Sequence, residues 1–103
     1  MNDIDIASKY IAKARSSADR NIPFMITFNE YKRLLITKKC FYSGVELTFE
    51  QNKDNSFTID RISAEIGYVS GNVVACSLKM NQKKRDLTLE DLRMLFKKLK
   101  RRI

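Results

Sequence analysis

A six-residue run, Phe57-Thr58-Ile59-Asp60-Arg61-Ile62, alternates at the two-residue period of a strand and is rich in β-favouring side chains. It lies between segments whose apolar residues recur at helical spacing, so the chain is bound to the α+β class. On the N-terminal side, Ile4, Ala7, Ile11, Ala14 and Ala18 repeat at steps of three and four, which predicts one apolar face of a first helix. Asp19-Arg20-Asn21 ends that helix, and Pro23 forbids its continuation. Thr27-Phe28-Asn29-Glu30 reads as a capping box that opens a second helix, with Phe28, Tyr31, Leu34 and Leu35 toward the core.

After Cys40 the texture changes. Ser43-Gly44 marks a turn, and residues 51–56 form a polar loop. Gly67 and Gly71 bracket Tyr68-Val69-Ser70. Val73-Val74-Ala75-Cys76 is either a buried strand or the start of a helix, and a helix is expected near 77–84. A second capping box, Thr88-Leu89-Glu90-Asp91, opens the last helix. Leu92, Leu95, Phe96, Leu99 and Ile103 make its expected buried stripe.

The 103 residues fit one domain, with a helical part at 1–39, a central part at 40–85 and a last helix at 86–103. Hydrophobic residues make up 44% of the chain, enough for one modest core without staples. Cys40 and Cys76 are too few for a disulfide framework and read as reduced thiols. With no membrane-length apolar run and no basic leader at the N-terminus, a cytoplasmic protein is expected, with no membrane partner and no small-molecule substrate.

The net charge of +8 is unevenly placed: residues 79–103 carry +7 of it and residues 1–78 only +1. Such a gathering predicts a polyanion partner. Lys79, Lys83, Lys84, Arg85, Arg93, Lys97, Lys100 and Arg101 are the expected phosphate contacts. Basic residues in the last turn also suit the helix dipole, which accounts for part of that charge without any partner.

Three pieces occur in order: Cys40-Phe41-Tyr42-Ser43-Gly44, then Thr58-Ile59-Asp60-Arg61-Ile62, then Gly67-Tyr68-Val69-Ser70-Gly71-Asn72-Val73-Val74 followed by Asn81-Gln82-Lys83-Lys84. With that order and spacing the sequence resembles the HNH endonucleases, particularly their small phage-type members. The resemblance implies a ββα-metal core flanked by N-terminal helices and a C-terminal basic amphipathic helix. By position it implies Asp60 and Asn81 as ligands of Mg²⁺ or Mn²⁺, Asn72 as a structural brace and Lys84 on a phosphate. Hard divalent ions take such oxygen donors.

Two departures bear on that expectation. Where the family has its general-base histidine this chain has Arg61, and it contains no histidine at all. A guanidinium stays protonated and cannot serve as an ordinary base. Losing a base costs about 10²–10⁴-fold in rate. Secondly, the two Cys-x-x-Cys pairs of many relatives would fall at Cys40 and Ser43 and at Ser77 and Met80. One thiol in four positions cannot hold zinc, so no structural zinc is expected. Packing by Phe41, Tyr42, Val45, Leu47, Cys76 and Met80 is expected in its place.

Three functions follow. The first is a divalent-metal-dependent DNA endonuclease or nickase. The second is a DNA-binding module of low sequence specificity that does no chemistry. The third is a phage-type protein that docks on a host protein. Asp60, Asn72 and Asn81 favour the first, and Arg61 favours the other two.

Overall fold

The computed structural model describes residues 1–85 and 87–100. The elements run α1 (Asp3–Asp19), α2 (Phe28–Leu35), β1 (Phe57–Arg61), β2 (Val73–Ser77), α3 (Leu78–Lys84) and α4 (Leu89–Lys100). The chain is thus an α+β protein, with four helices and one two-stranded antiparallel sheet among the described residues.

The strands pair in a simple register, from Phe57 opposite Ser77 to Arg61 opposite Val73. Val73–Cys76 is therefore a strand, and the helix after it starts at Leu78. Ser77 sets that boundary: its hydroxyl accepts from the Met80 amide at 3.2 Å, an N-cap at the last residue of β2. Asp60 and Asn81 are thereby fixed on adjoining elements.

α1 opens on Asn2, whose side chain accepts from the Asp5 amide at 2.9 Å. It closes through Asn21, which takes the left-handed conformation (φ 55°) that asparagine tolerates at a helix end. The inward face is not the expected one. Ile6 and Ser17 are buried with Tyr10 half-buried, while Ile4 is 77% and Ile11 50% exposed. Tyr10 decides this register. Its ring meets Phe24, Phe28 and Tyr31 edge-on at 5.3–5.7 Å, and its hydroxyl donates to the Ile26 carbonyl at 2.7 Å.

α2 follows expectation, with Tyr31 and Leu35 buried and Phe28 and Leu34 packed against them. The Thr27 hydroxyl caps it by accepting from the Glu30 amide at 3.1 Å, and the Glu30 carboxylate accepts from the Thr27 hydroxyl at 3.4 Å rather than from its backbone amide. The core joins Ile6 of α1, Ile26, Tyr31 and Leu35 around α2, Ile59 of β1, and Tyr68.

The segment 23–25 runs beside Tyr68: the Tyr68 amide donates to Pro23 and the Met25 amide to Tyr68, at 2.8 and 2.7 Å. This close approach is what Gly67 permits. A Cβ there would lie 2.5 Å from the Pro23 carbonyl oxygen and 2.8 Å from the Pro23 Cβ. Gly67→Ala is expected to destabilise the fold by about 1–3 kcal/mol through overpacking against backbone, read as a lower urea midpoint. An unchanged midpoint would mean the two segments part easily.

α4 differs most from expectation. Its capping box forms, with Thr88 and Asp91 exchanging bonds of 3.0 Å. Its stripe is not buried, however: Leu95, Phe96 and Leu99 are 49%, 66% and 58% exposed, and only Leu92 is half-buried. The helix is amphipathic in sequence, but no other element covers its apolar side among the described residues. Ile103 lies outside the described residues. No helix among the described residues is long and apolar enough to cross a membrane.

Candidate functional site

β1 carries Asp60 and Arg61 at the end where the chain leaves the sheet, and α3 lies against both strands. Asp60 is 7% exposed. Its Oδ2 accepts from the Tyr42 hydroxyl at 2.6 Å and pairs with the Lys84 ammonium at 2.8 Å. Lys84 is itself 5% exposed and also donates to the Arg61 carbonyl oxygen. A buried carboxylate needs such a partner, because desolvating an unpaired charge costs several kcal/mol. Tyr42 responds in turn: burial, then the bond to Asp60 and its charge, push the phenol well above its ordinary range.

Arg61, at the position that the resemblance assigns to the base, acts on the loop that follows it. It donates to the Ala64 carbonyl at 2.8 Å and the Ile66 carbonyl at 3.4 Å, and its guanidinium lies 5.3 Å from the Tyr68 ring centre. Asn72 holds the same loop from the other side. Its Oδ1 accepts from the Ser63 amide at 2.9 Å, and its Nδ2 donates to the carbonyls of Ser63 and Gly67 at 3.1 and 2.9 Å. Asn81 donates to the Thr58 hydroxyl at 3.1 Å, and Thr58 donates to the Cys76 carbonyl at 2.8 Å.

This donor set does not fit the divalent ion that the resemblance implies. Asp60 and Asn81 would offer two oxygen-donor side chains, but the Asp60 carboxylate is already paired with the Lys84 ammonium, and the same Oδ2 accepts from the Tyr42 phenol. Among the described residues no group of three or more histidine, cysteine, aspartate or glutamate side chains could hold a metal.

Asp60, Arg61 and Asn81 share a cleft of about 450 Å³ with Lys13, Arg20 and Arg85. Tyr68 lies in the same wall. Arg20 donates to its hydroxyl at 3.1 Å, and the Lys13 ammonium sits 4.6 Å from its ring centre. Burial pushes the Tyr68 phenol up, but the bond from Arg20 and the charge of Lys13 more than reverse this and draw it below its ordinary value.

The expected basic residues therefore divide. Arg85 reaches the cleft, and Lys84 is turned inward onto Asp60 rather than out to a phosphate. Lys79 and Lys83 line a separate depression with Ser43 and Asp54. Arg93, Lys97 and Lys100 are exposed on α4, away from the cleft lining. Arg101 lies outside the described residues. Lys13 and Arg20 were missed, since they belong to the N-terminal part whose charges nearly cancel. Lys13 lies in α1 and Arg20 caps its C-terminus seven residues on, about two helical turns, so they fall on the same side, a signal visible only once the face of that helix is known.

The two cysteines are free and buried. Of the six residues expected to pack in the place of zinc, Cys76 is buried and Tyr42, Leu47 and Met80 are half-buried, whereas Phe41 and Val45 are 63% and 44% exposed. Polar contacts hold the turn: the Cys40 amide donates to Val45 and the Gly44 amide to Cys40, both at 2.9 Å. Burial alone would raise the Cys40 thiol. Hydrogen bonds from Ser43 and from the Ser77 and Tyr42 backbones outweigh it and pull the thiol down from 9.0 to about 6. Burial and the neighbouring Cys40 push Cys76 up to about 12.

The two shifts have opposite linkage. A lowered Cys40 adds stability that is present above pH 9 and is lost as pH falls toward 6. A raised Cys76 is protonated when folded, so stability declines as pH climbs from 9 toward 12. The urea midpoint is expected to rise from pH 6 to 9 and to fall above that, with the rise absent in Cys40→Ser. The same rise in that variant would contradict the assignment.

No family model matches the chain, and no solved structure matches it. Among curated proteins it is similar to the "Uncharacterized 29.0 kDa protein in dda-modA intergenic region" of Enterobacteria phage T4, with 35% identity over 77 residues. The match covers 75% of this chain and 31% of that protein, so the chain spans about a third of its relative's length.

Proposed function

We propose that the chain is a nucleic-acid-binding protein, with DNA as its partner, built on an HNH-like ββα unit that grips backbone phosphates without performing ordinary HNH catalysis. The observation that carries this reading is the cleft over β1. Four cationic side chains from three elements converge there beside Asp60 and Asn81, the two positions that the HNH resemblance marks. Clefts lined by one sign of charge focus the field and raise the local concentration of an oppositely charged ligand. Phosphate contacts fix position and not sequence, which accords with low sequence specificity.

A nickase is the second reading, favoured by the presence of Asp60, Asn72 and Asn81 in the family's order. It would require Lys84 to leave Asp60 and some group other than histidine to take the proton from water. Docking on a host protein is a third use of the same fold, and the uncovered apolar side of α4 is the feature that would serve it.

Supercoiled plasmid separates the readings. Wild type and Asp60→Ala are incubated with Mg²⁺ or Mn²⁺ and run on a gel. The expected result is a salt-sensitive shift with no nicking by either protein. Nicking by wild type that Asp60→Ala abolishes would replace the binding reading with the nickase.

A further inference from the structure

Lys13, Arg20, Arg61 and Arg85 come from α1, β1 and the end of α3, yet they line one cleft. Among the described residues none of the four has a carboxylate within ion-pair distance; the pairs present are Lys32 with Asp3 and Lys84 with Asp60. Asp60, the one acidic group in the cleft wall among the described residues, is neutralised by Lys84 at 2.8 Å. Among the described residues the cleft therefore holds four positive charges and no free negative one. Gathering like charges is unfavourable, and a cation over an aromatic ring offsets only part of that cost. The Tyr68 ring takes two of the cations, Lys13 and Arg61, and its hydroxyl takes Arg20. These contacts organise the cations around a common centre, while their charge is left for a ligand to balance.

We propose that this cleft is a metal-independent seat for a backbone phosphate, held chiefly by Lys13 of α1 and Arg20 at its C-cap together with Arg85, with Lys84 serving Asp60 in the place where a metal ion would otherwise be needed. The inference rests on the nucleic-acid reading above and adds the ligand group, the residues and the independence from divalent ions. Guanidinium forks and an ammonium suit a phosphodiester: arginine binds two oxygens side by side and lysine supplies a point charge. Because Asp60 brings no uncompensated charge, the phosphate meets no repulsion that a divalent ion would have to relieve.

The test is the affinity for a short fluorescent DNA duplex, by anisotropy, in EDTA across a salt series. Three proteins are compared: wild type, Lys13→Ala with Arg20→Ala, and Lys9→Ala with Arg15→Ala. The last pair removes the same charge from exposed positions of the same helix. Wild type is expected to bind in EDTA. The cleft variant should bind at least ~10-fold more weakly at low salt, with a log–log salt slope smaller by about 1, and the control should change far less. Lys13→Gln, which keeps a stem over Tyr68, repeats the comparison should the double variant fail to fold.

Equal losses in the cleft variant and the control would overturn the seat while leaving nucleic-acid binding intact. Binding that appears only with added Mg²⁺ would overturn metal independence. No DNA binding under any condition would sink the nucleic-acid reading itself. Thermal stabilisation by inorganic phosphate without DNA binding would overturn the backbone as the ligand.

Discussion

Replacing Lys84 with methionine is expected to destabilise the protein by about 3–5 kcal/mol, the largest effect of any single change considered, because it strands the buried Asp60 carboxylate. Both partners are almost wholly enclosed, with side-chain exposures of 4% and 8%. The carboxylate would keep the Tyr42 hydroxyl but lose its only countercharge among the described residues. The cost arises from the orphaned charge and not from the worth of the pair, since a buried ion pair replaced whole is often neutral or better. Adding Asp60→Asn to Lys84→Met should therefore recover most of the loss, and a double-mutant cycle in urea measures the coupling. A Lys84→Met protein as stable as wild type would mean that the ammonium does not sit on Asp60 in solution.

Asn72→Ala should cost about 3 kcal/mol, because one side chain satisfies both backbone groups of Ser63 and the carbonyl of Gly67. The effect should also be local. The loop between β1 and β2 supplies the carbonyls that hold Arg61, and Tyr68 at its far end carries Arg20. Loosening the loop therefore loosens three of the four cations, Lys13 over the Tyr68 ring included. Hydrogen exchange at the Ser63 amide should quicken well before global unfolding, and DNA affinity should fall with it. Asn72→Asp keeps the acceptor for the Ser63 amide but loses the donors, so it should lie between. Protection at Ser63 that survives Asn72→Ala would show that the loop is held by other means.

Local chemistry was legible in the sequence, and facing was less so. The capping residues Thr27, Ser77 and Thr88 act within three or four residues of themselves, so their hydrogen bonds depend on little else. Both caps read from sequence, at Thr27 and Thr88, form, and the strand at Phe57 ends within a residue of its expected place. The inward side of α1 depends on what α2 and β1 present. Aliphatic spacing pointed to Ile4 and Ile11, but Tyr10 reaches three aromatic rings and a carbonyl, and the helix turns to suit it. Lys13 and Arg20 follow Tyr10 round to the cleft, which explains why a charge count by segment overlooked them.

Lys84 shows the same limit at the site. Its place in a basic cluster suggested a phosphate contact, whereas its position one helical turn beyond Asn81 brings it against Asp60. Nothing in the composition distinguishes a lysine that meets solvent from one that neutralises a neighbour. α4 is the opposite case: its pattern of leucines fits a buried helix, and the fold leaves that pattern uncovered. Amphipathic spacing reports that a face can be buried and does not identify what buries it.

The central claim is that this fold binds nucleic acid through phosphate contacts, and the salt dependence of wild-type DNA affinity tests it most directly. Log affinity should fall in a straight line against log salt, by about 0.9 for each phosphate held, for a slope of roughly −2 to −4. An affinity that ignores salt, or no binding at the lowest salt, would contradict the claim.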